Sequence, residues 1–154
     1  MARTRMDDKL RALQRVALFA GCTKRELRAV AHLCTALPIN EGFALTTEGG
    51  IAQECFVIAE GTARVTRSGV MVGRVGPGAC VGEIALLDRG GRTATVTAET
   101  PMDVYLLSVA EFWAMLDASP TVAGKIAINL ARRLRSAEAA APPASAGRAM
   151  AVPA

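Results

Sequence analysis

The chain has 154 residues, 51% of them apolar, enough for one well-packed core and too few for two ordinary domains. It lacks an uninterrupted apolar run of about 18 residues, which argues against a membrane helix, and Asp7, Asp8, Lys9 and Arg11 stand where a secretory signal needs its apolar stretch. A cytoplasmic location is therefore expected. The formal charge of +4 is concentrated at the start: residues 1–30 carry eight basic side chains against Asp7, Asp8 and Glu26, while the remaining ten basic and eleven acidic residues nearly cancel.

The basic N-terminus, residues 1–8, reads as a flexible arm that could touch nucleic acid or an acidic partner; a solvated helix face is the favoured reading of the charge. From residue 8 to 19, Leu10, Leu13, Ala17 and Leu18 recur at helical spacing and Gly21 follows as a stop, so a first helix is expected. Thr23 with Glu26 three residues on forms a capping-box signature, predicting a second helix from 24 to about 37, ended by Pro38. Its apolar stripe is Leu27, Val30, Ala31, Cys34 and Leu37, and His32 falls off that stripe as a surface residue.

Between 39 and 107 the texture changes. Short apolar runs at 56–59, 70–75, 94–98 and 104–107 are separated by turns bearing Gly42, Gly49, Gly50, Gly61, Gly69, Gly76 and Gly78. Regularly spaced short strands describe a sandwich or barrel rather than a parallel sheet. Ala94, Val96 and Ala98 alternate with Thr93, Thr95 and Thr97, so one face of that strand is apolar and the other polar. Helical spacing returns with Val109, Phe112, Trp113 and Leu116, breaks at Ser119-Pro120, and resumes in a final helix from 121 to about 140 that carries Arg132, Arg133 and Arg135 near its end. The fold class is thus α+β, mainly β, with one domain over 9–140. The Ala/Pro-rich tail at 141–154 cannot bury a core and is expected to be disordered.

The stretch 82–96 carries the chemistry. Gly82 precedes a short helical turn, an arrangement that lets backbone N–H groups approach an anion. Arg92 offers a guanidinium fork suited to phosphate oxygens. Glu83 would be out of place beside an anion unless it accepts from neutral donors such as a ribose hydroxyl, or balances the arginine. A sugar phosphate meets both needs; a structural Glu83–Arg92 ion pair across a hairpin is the plainer alternative, and spacing leaves it open.

Gly82, Glu83, Ala85, Leu86, Arg92, Thr93, Ala94, Thr95 and Val96 resemble the phosphate-binding cassette of cyclic-nucleotide-binding domains, including the Glu-to-Arg interval. The likeness extends from about 10 to 135 through Leu18-Phe19, Glu48-Gly49, Phe56-Val57-Ile58, Gly76-Pro77-Gly78 and Ala131-Arg132-Arg133-Leu134. It implies an eight-stranded jelly-roll-like barrel flanked by N-terminal and C-terminal helices. It also implies a ligand set of Gly82, Glu83, Ile84, Ala85, Arg92 and Thr93, with Glu83 on the ribose 2′-hydroxyl, Arg92 on the cyclic phosphate, and backbone of Gly82, Ala85 and Thr93 completing the pocket. Two departures are local: Gly91 stands where the family commonly has proline, and Cys80-Val81 replaces an aromatic pair.

The ligand the resemblance implies is cAMP, favoured over cGMP. Thr93 stands where a hydroxyl is often linked to cGMP, but bacterial members with a hydroxyl there resemble cAMP binders, and threonine also suits a strand. Ala137 stands where catabolite-activator-type regulators place a threonine on adenine; Arg133 or Arg135 could instead stack on the purine, or each could be part of a solvated basic helix end. No helix-turn-helix module follows 140, so sequence-specific DNA reading is not expected, and the resemblance is to a stand-alone sensor that signals through its final helix to a protein partner, with a homodimer one option. The alternative is an interaction or dimerisation module on the same fold that needs no nucleotide. An enzyme is not expected, because a single histidine permits no Ser-His-Asp or Cys-His set. Nor is a metal: Cys22, Cys34, Cys55 and Cys80 contain no CxxC pair and read as small apolar residues.

Overall fold

The computed structural model describes residues 2–88 and 90–140; Met1 and the tail at 141–154 lie outside the described residues. In chain order the elements are α1 (Ala2–Gln14), a 3-10 turn (Ala17–Phe19), α2 (Lys24–Leu33), β1 (Thr35–Ile39), β2 (Ala44–Thr46), β3 (Glu54–Glu60), β4 (Ala63–Arg67), β5 (Val70–Val75), β6 (Cys80–Val81), α3 (Glu83–Asp88), β7 (Thr95–Ala98), β8 (Met102–Ser108), α4 (Val109–Ala118) and α5 (Pro120–Ala140). The eight strands divide into two antiparallel sheets, β1-β8-β3-β6 and β2-β7-β4-β5. The result is a jelly-roll-like sandwich rather than a barrel closed by one continuous ladder.

Two cores follow from this layering. Inside the sandwich lie Ile39, Leu45, Phe56, Ile58, Val81, Val96, Ala98 and Val104. On the far side of the first sheet, the helices bury Leu13, Leu27, Val30, Phe112, Val122 and Ile126 against Cys55, Val57 and Leu107. Strand β3 therefore has apolar partners on both faces, which is why Cys55 to Ile58 reads as an unbroken apolar run. Strand β7 faces the interior on one side only, and its buried Val96 and Ala98 alternate with half-buried Thr95 and Thr97.

Helix α2 begins at the capping box expected: the Glu26 backbone N–H donates to Thr23 Oγ1 at 3.2 Å and the Thr23 N–H donates to Glu26 Oε1 at 2.7 Å. Its end differs. The helix stops at Leu33, and Thr35–Ile39 pairs residue by residue with β8, Pro38 opposite Asp103. Proline is tolerated there because β1 is an edge strand and the missing N–H breaks no ladder bond. Leu37 is accordingly 37% exposed rather than part of a buried stripe. The first helix also differs at both ends. It is helical from Ala2, inside the segment expected to be a flexible arm, and it stops at Gln14; Leu18 and Phe19 are buried from the separate 3-10 turn, with the Phe19 ring edge-on to Phe112 at 6.3 Å.

The first half of α5 is fastened to the rest of the molecule. Asn129 donates from Nδ2 to the carbonyls of Leu18 (2.8 Å) and Ala20 (2.9 Å), and Lys125 Nζ lies 2.5 Å from Glu26 Oε1. The hydrogen bond from Lys125, with those from the Thr23 backbone and the Thr121 side chain, lowers the Glu26 carboxyl to about 2. A carboxyl depressed in the folded state stabilises the fold above its unfolded value and loses that contribution as pH falls towards 2. Thermal melts of Glu26→Gln should therefore lie below wild type at neutral pH and converge with it between pH 4.5 and 2; a constant offset over that range would show that the charge on Glu26 contributes nothing.

Candidate functional site

Strand β6 delivers the chain through Gly82 into α3, and residues 90–94 return it to β7. Gly82, Glu83, Arg92 and Thr93 come together around a cavity of about 170 Å³ whose wall also includes Thr46, Cys80, Val81, Gly91, Ala94 and Val96. The Arg92 backbone is pinned by its own N–H to the Gly50 carbonyl (3.0 Å) and by the Gly49 N–H to its carbonyl (2.9 Å). Its side chain turns inward and is 95% covered, with Nη2 donating to the Glu54 carbonyl at 2.7 Å and lying 3.7 Å from Glu54 Oε1. Nη1 is buried and has no hydrogen-bond partner among the described residues. A buried donor on a cation without an acceptor is destabilising by itself.

Gly82 explains how the guanidinium fits. Its φ is +85°, and a Cβ there would stand 2.2 Å from Arg92 Nη1. Only a glycine both adopts this backbone and leaves the space. Thr46, buried in β2, donates from Oγ1 to the Ala94 carbonyl at 3.0 Å and fixes the wall of the cavity where β7 begins.

Glu83 does not pair with Arg92. Its carboxylate is held by Arg133 of α5, whose Nη1 meets Glu83 Oε1, so the hairpin ion pair left open by spacing is replaced by two pairs with other partners. Thr93 is exposed at the cavity rim. Ile84 and Ala85 lie in α3, and their side chains are outside the described residues. Arg135 is exposed on α5 and does not line this cavity. Glu54 and Thr46 were not among the expected site residues: Glu54 is 38 residues from Arg92 and Thr46 is 48 from Ala94, and nothing local in either segment points to the contact.

Arranged this way, the site offers a cationic N–H to an anion, a carboxylate to hydroxyl donors, and an apolar wall. Among the described residues, no group of three His, Cys, Asp or Glu side chains is placed to hold a metal ion, and no helix is long and apolar enough to cross a membrane. Fold and site define a jelly-roll-like sandwich with a buried arginine beside a small cavity. The model of the cyclic nucleotide-binding domain matches residues 37–119, from β1 to the end of α4, and the chain belongs to that family. The family is one of regulatory nucleotide-binding domains rather than of catalytic folds.

The chain is 31% identical over 126 residues to the cyclic AMP receptor protein of Thermus thermophilus, covering 79% of this chain and 58% of that protein. It is similar in structure to the N-terminal domain of a transcriptional regulator from Streptomyces coelicolor A3(2), with TM-score 0.77 and 30% identity over 84% of this chain and 94% of that one. The regulatory domain of Toxoplasma gondii PKA with cAMP gives TM-score 0.68 at 27% identity, covering 73% and 44%. The chain thus spans somewhat over half the length of the Thermus relative.

Proposed function

We propose that this domain is a cyclic-nucleotide sensor that holds the cyclic phosphate on Arg92 and the ribose on Glu83, with cAMP preferred to cGMP. The observation that carries the reading is the buried Nη1 of Arg92, without a hydrogen-bond partner among the described residues, on a side chain of a residue that lines the cavity. A phosphate oxygen would satisfy it, and a charge-assisted bond in a water-poor site is worth roughly 1.5–3 kcal/mol. The backbone of Gly82, Ala85 and Thr93 completes the proposed seat, beside Ile84 in α3. The relatives named for cyclic AMP support the choice of purine.

Glu83 is already occupied by Arg133, whose side chain is 51% exposed. A ribose hydroxyl would compete with Arg133 for the same carboxylate, so ligand entry frees the second half of α5, where residues 131–140 are exposed throughout. The first half stays anchored by Asn129 and Lys125. In this scheme Arg135 stacks on the base, and the helix end, shifted from its ligand-free position, signals to a protein partner in the cytoplasm without catalysis by this domain.

Thermal unfolding tests the scheme. Nucleotide at about 100 times its dissociation constant should stabilise by roughly 2.7 kcal/mol, a rise in Tm of about 5–10 °C, larger for cAMP than for cGMP at equal concentration. Arg133→Ala, by releasing Glu83, should tighten binding about 2- to 5-fold, the worth of a part-exposed ion pair; weaker binding in that variant would mean that Arg133 contacts the nucleotide instead. No shift with either nucleotide would overturn the sensor reading in favour of a nucleotide-independent interaction module.

A further inference from the structure

The four cysteines are free thiols, and two of them are neighbours: Cys80 Sγ donates to Cys55 Sγ at 3.4 Å. They lie on adjacent antiparallel strands, β6 and β3, where Val57 is opposite Cys80 and Phe56 opposite Val81. Both side chains face the helical core. Cys55 is fully buried, whereas Cys80 is half-buried and borders the cavity beneath Arg92.

We infer that Cys55 and Cys80 form an oxidation site, which a hydroperoxide closes to a disulfide and whose state sets the affinity of the adjoining anion seat. The second half of this inference rests on the nucleotide-binding role proposed for Arg92. Cys80 reacts first because it is half-buried, whereas Cys55 is fully buried. Its sulfur, as thiolate, attacks one peroxide oxygen; the O–O bond breaks, a sulfenic acid forms, and the departing hydroxide takes a proton to become water. The Cys55 sulfur then attacks the sulfenic sulfur, the S–O bond breaks, and the Cys55 proton leaves with hydroxide as a second water. Two thiols give up two electrons and two protons, and hydrogen peroxide is reduced to two waters. The hydrogen bond with Cys55 and burial raise the Cys80 thiol well above its ordinary value, so the reaction accelerates as pH rises.

The coupling to the seat is geometric. A disulfide draws the sulfurs from 3.4 Å to about 2.0 Å, pulling together the two strands that position Arg92. Glu54, whose carbonyl holds Arg92 at 2.7 Å, adjoins Cys55. Gly82, packed against Arg92 Nη1, follows Cys80 by two residues. Neither support can move without moving the guanidinium. A nucleotide that braces Arg92 against Gly82 and Glu54 resists the same strand movement and slows closure of the disulfide.

The test uses the full chain, reduced or treated with hydrogen peroxide, then alkylated and mapped by peptide mass spectrometry, with cAMP titrated calorimetrically in each state. The expected results are a Cys55–Cys80 linked peptide, affinity at least about tenfold weaker and restored by dithiothreitol, and oxidation at least about fivefold slower under saturating cAMP, equal couplings in the two directions not being required of rates. Cys55→Ser, or Cys55→Ala if serine unfolds the core, should bind cAMP with no response to peroxide, and Cys22→Ser should respond as wild type. A Cys34–Cys55 link, Cys80 over-oxidised without a partner, or a disulfide that leaves affinity unchanged would overturn the inference. If the reduced protein binds neither nucleotide, the proposed function falls, and the peptide map alone still decides whether the thiol pair closes.

Discussion

Replacing Arg92 by alanine should abolish the nucleotide-induced rise in Tm while leaving the domain folded. The loop around Arg92 is held by its backbone, through Gly49 and Gly50, and alanine keeps both bonds. Two opposing effects act on stability. Truncation leaves the Glu54 carbonyl without its donor, a loss of about 1–3 kcal/mol, but it also removes a charged side chain that is 95% covered and only partly satisfied. They offset, and the ligand-free Tm should move by no more than about 5 °C.

Binding has no such offset. The variant leaves a phosphate facing a cavity without its cation, and truncation of one member of a desolvated charge pair costs about 2–5 kcal/mol. Affinity should fall at least about 100-fold, read by calorimetric titration. Wild-type affinity in Arg92→Ala would show that the cavity is not the anion seat. Should the alanine variant lose its fold by circular dichroism, Arg92→Lys keeps the charge while losing the fork; it should fold and bind more weakly than wild type, and full binding there would exclude a bidentate contact.

Gly82→Ala should be the most damaging single methyl in the site. The backbone at φ +85° is unfavourable for any residue with a Cβ, by about 1–3 kcal/mol, and the new carbon would stand 2.2 Å from Arg92 Nη1 and 3.5 Å from the Glu54 carbonyl. The obstacle is the far end of a flexible side chain, so the guanidinium is what yields. Expected are a drop in Tm of about 3–10 °C and nucleotide affinity at least tenfold weaker, about 1.4 kcal/mol or more. The double variant Gly82→Ala/Arg92→Ala separates the two causes, because with Arg92 truncated the clash disappears and only backbone strain remains. Its destabilisation should fall short of the sum of the single variants by more than about 0.5 kcal/mol. Additive effects would mean that Gly82 is needed for its backbone alone and makes no room for the arginine.

Much of this architecture was legible because it is local. The capping box of Thr23 and Glu26 needs four residues, and it is present as expected. The alternation of β7 follows from the period of a strand, whereas the cover on both faces of β3 came only with the two cores. The break at Ser119-Pro120 separates α4 from α5 where the periodicity stops. Local pattern misled where tertiary pairing was stronger. Leu37 continues the apolar spacing of α2, yet the open edge of β8 captures Thr35–Ile39 as β1. Ala17 and Leu18 likewise continue the spacing of α1 but belong to a separate turn that meets α5 through the Leu18 and Ala20 carbonyls.

From the sequence alone came the order of helices and strands, the glycine-bearing turns and the placing of Gly82, Glu83, Arg92 and Thr93 in one short segment, because each depends on residues within a few positions of one another. The partners of those residues came only with the fold. Glu54 under Arg92, Arg133 on Glu83 and Cys55 against Cys80 join points 38, 50 and 25 residues apart. Which side chain satisfies a charge is set by which strands and helices lie side by side, and that is decided by burying two cores at once rather than by any spacing along the chain.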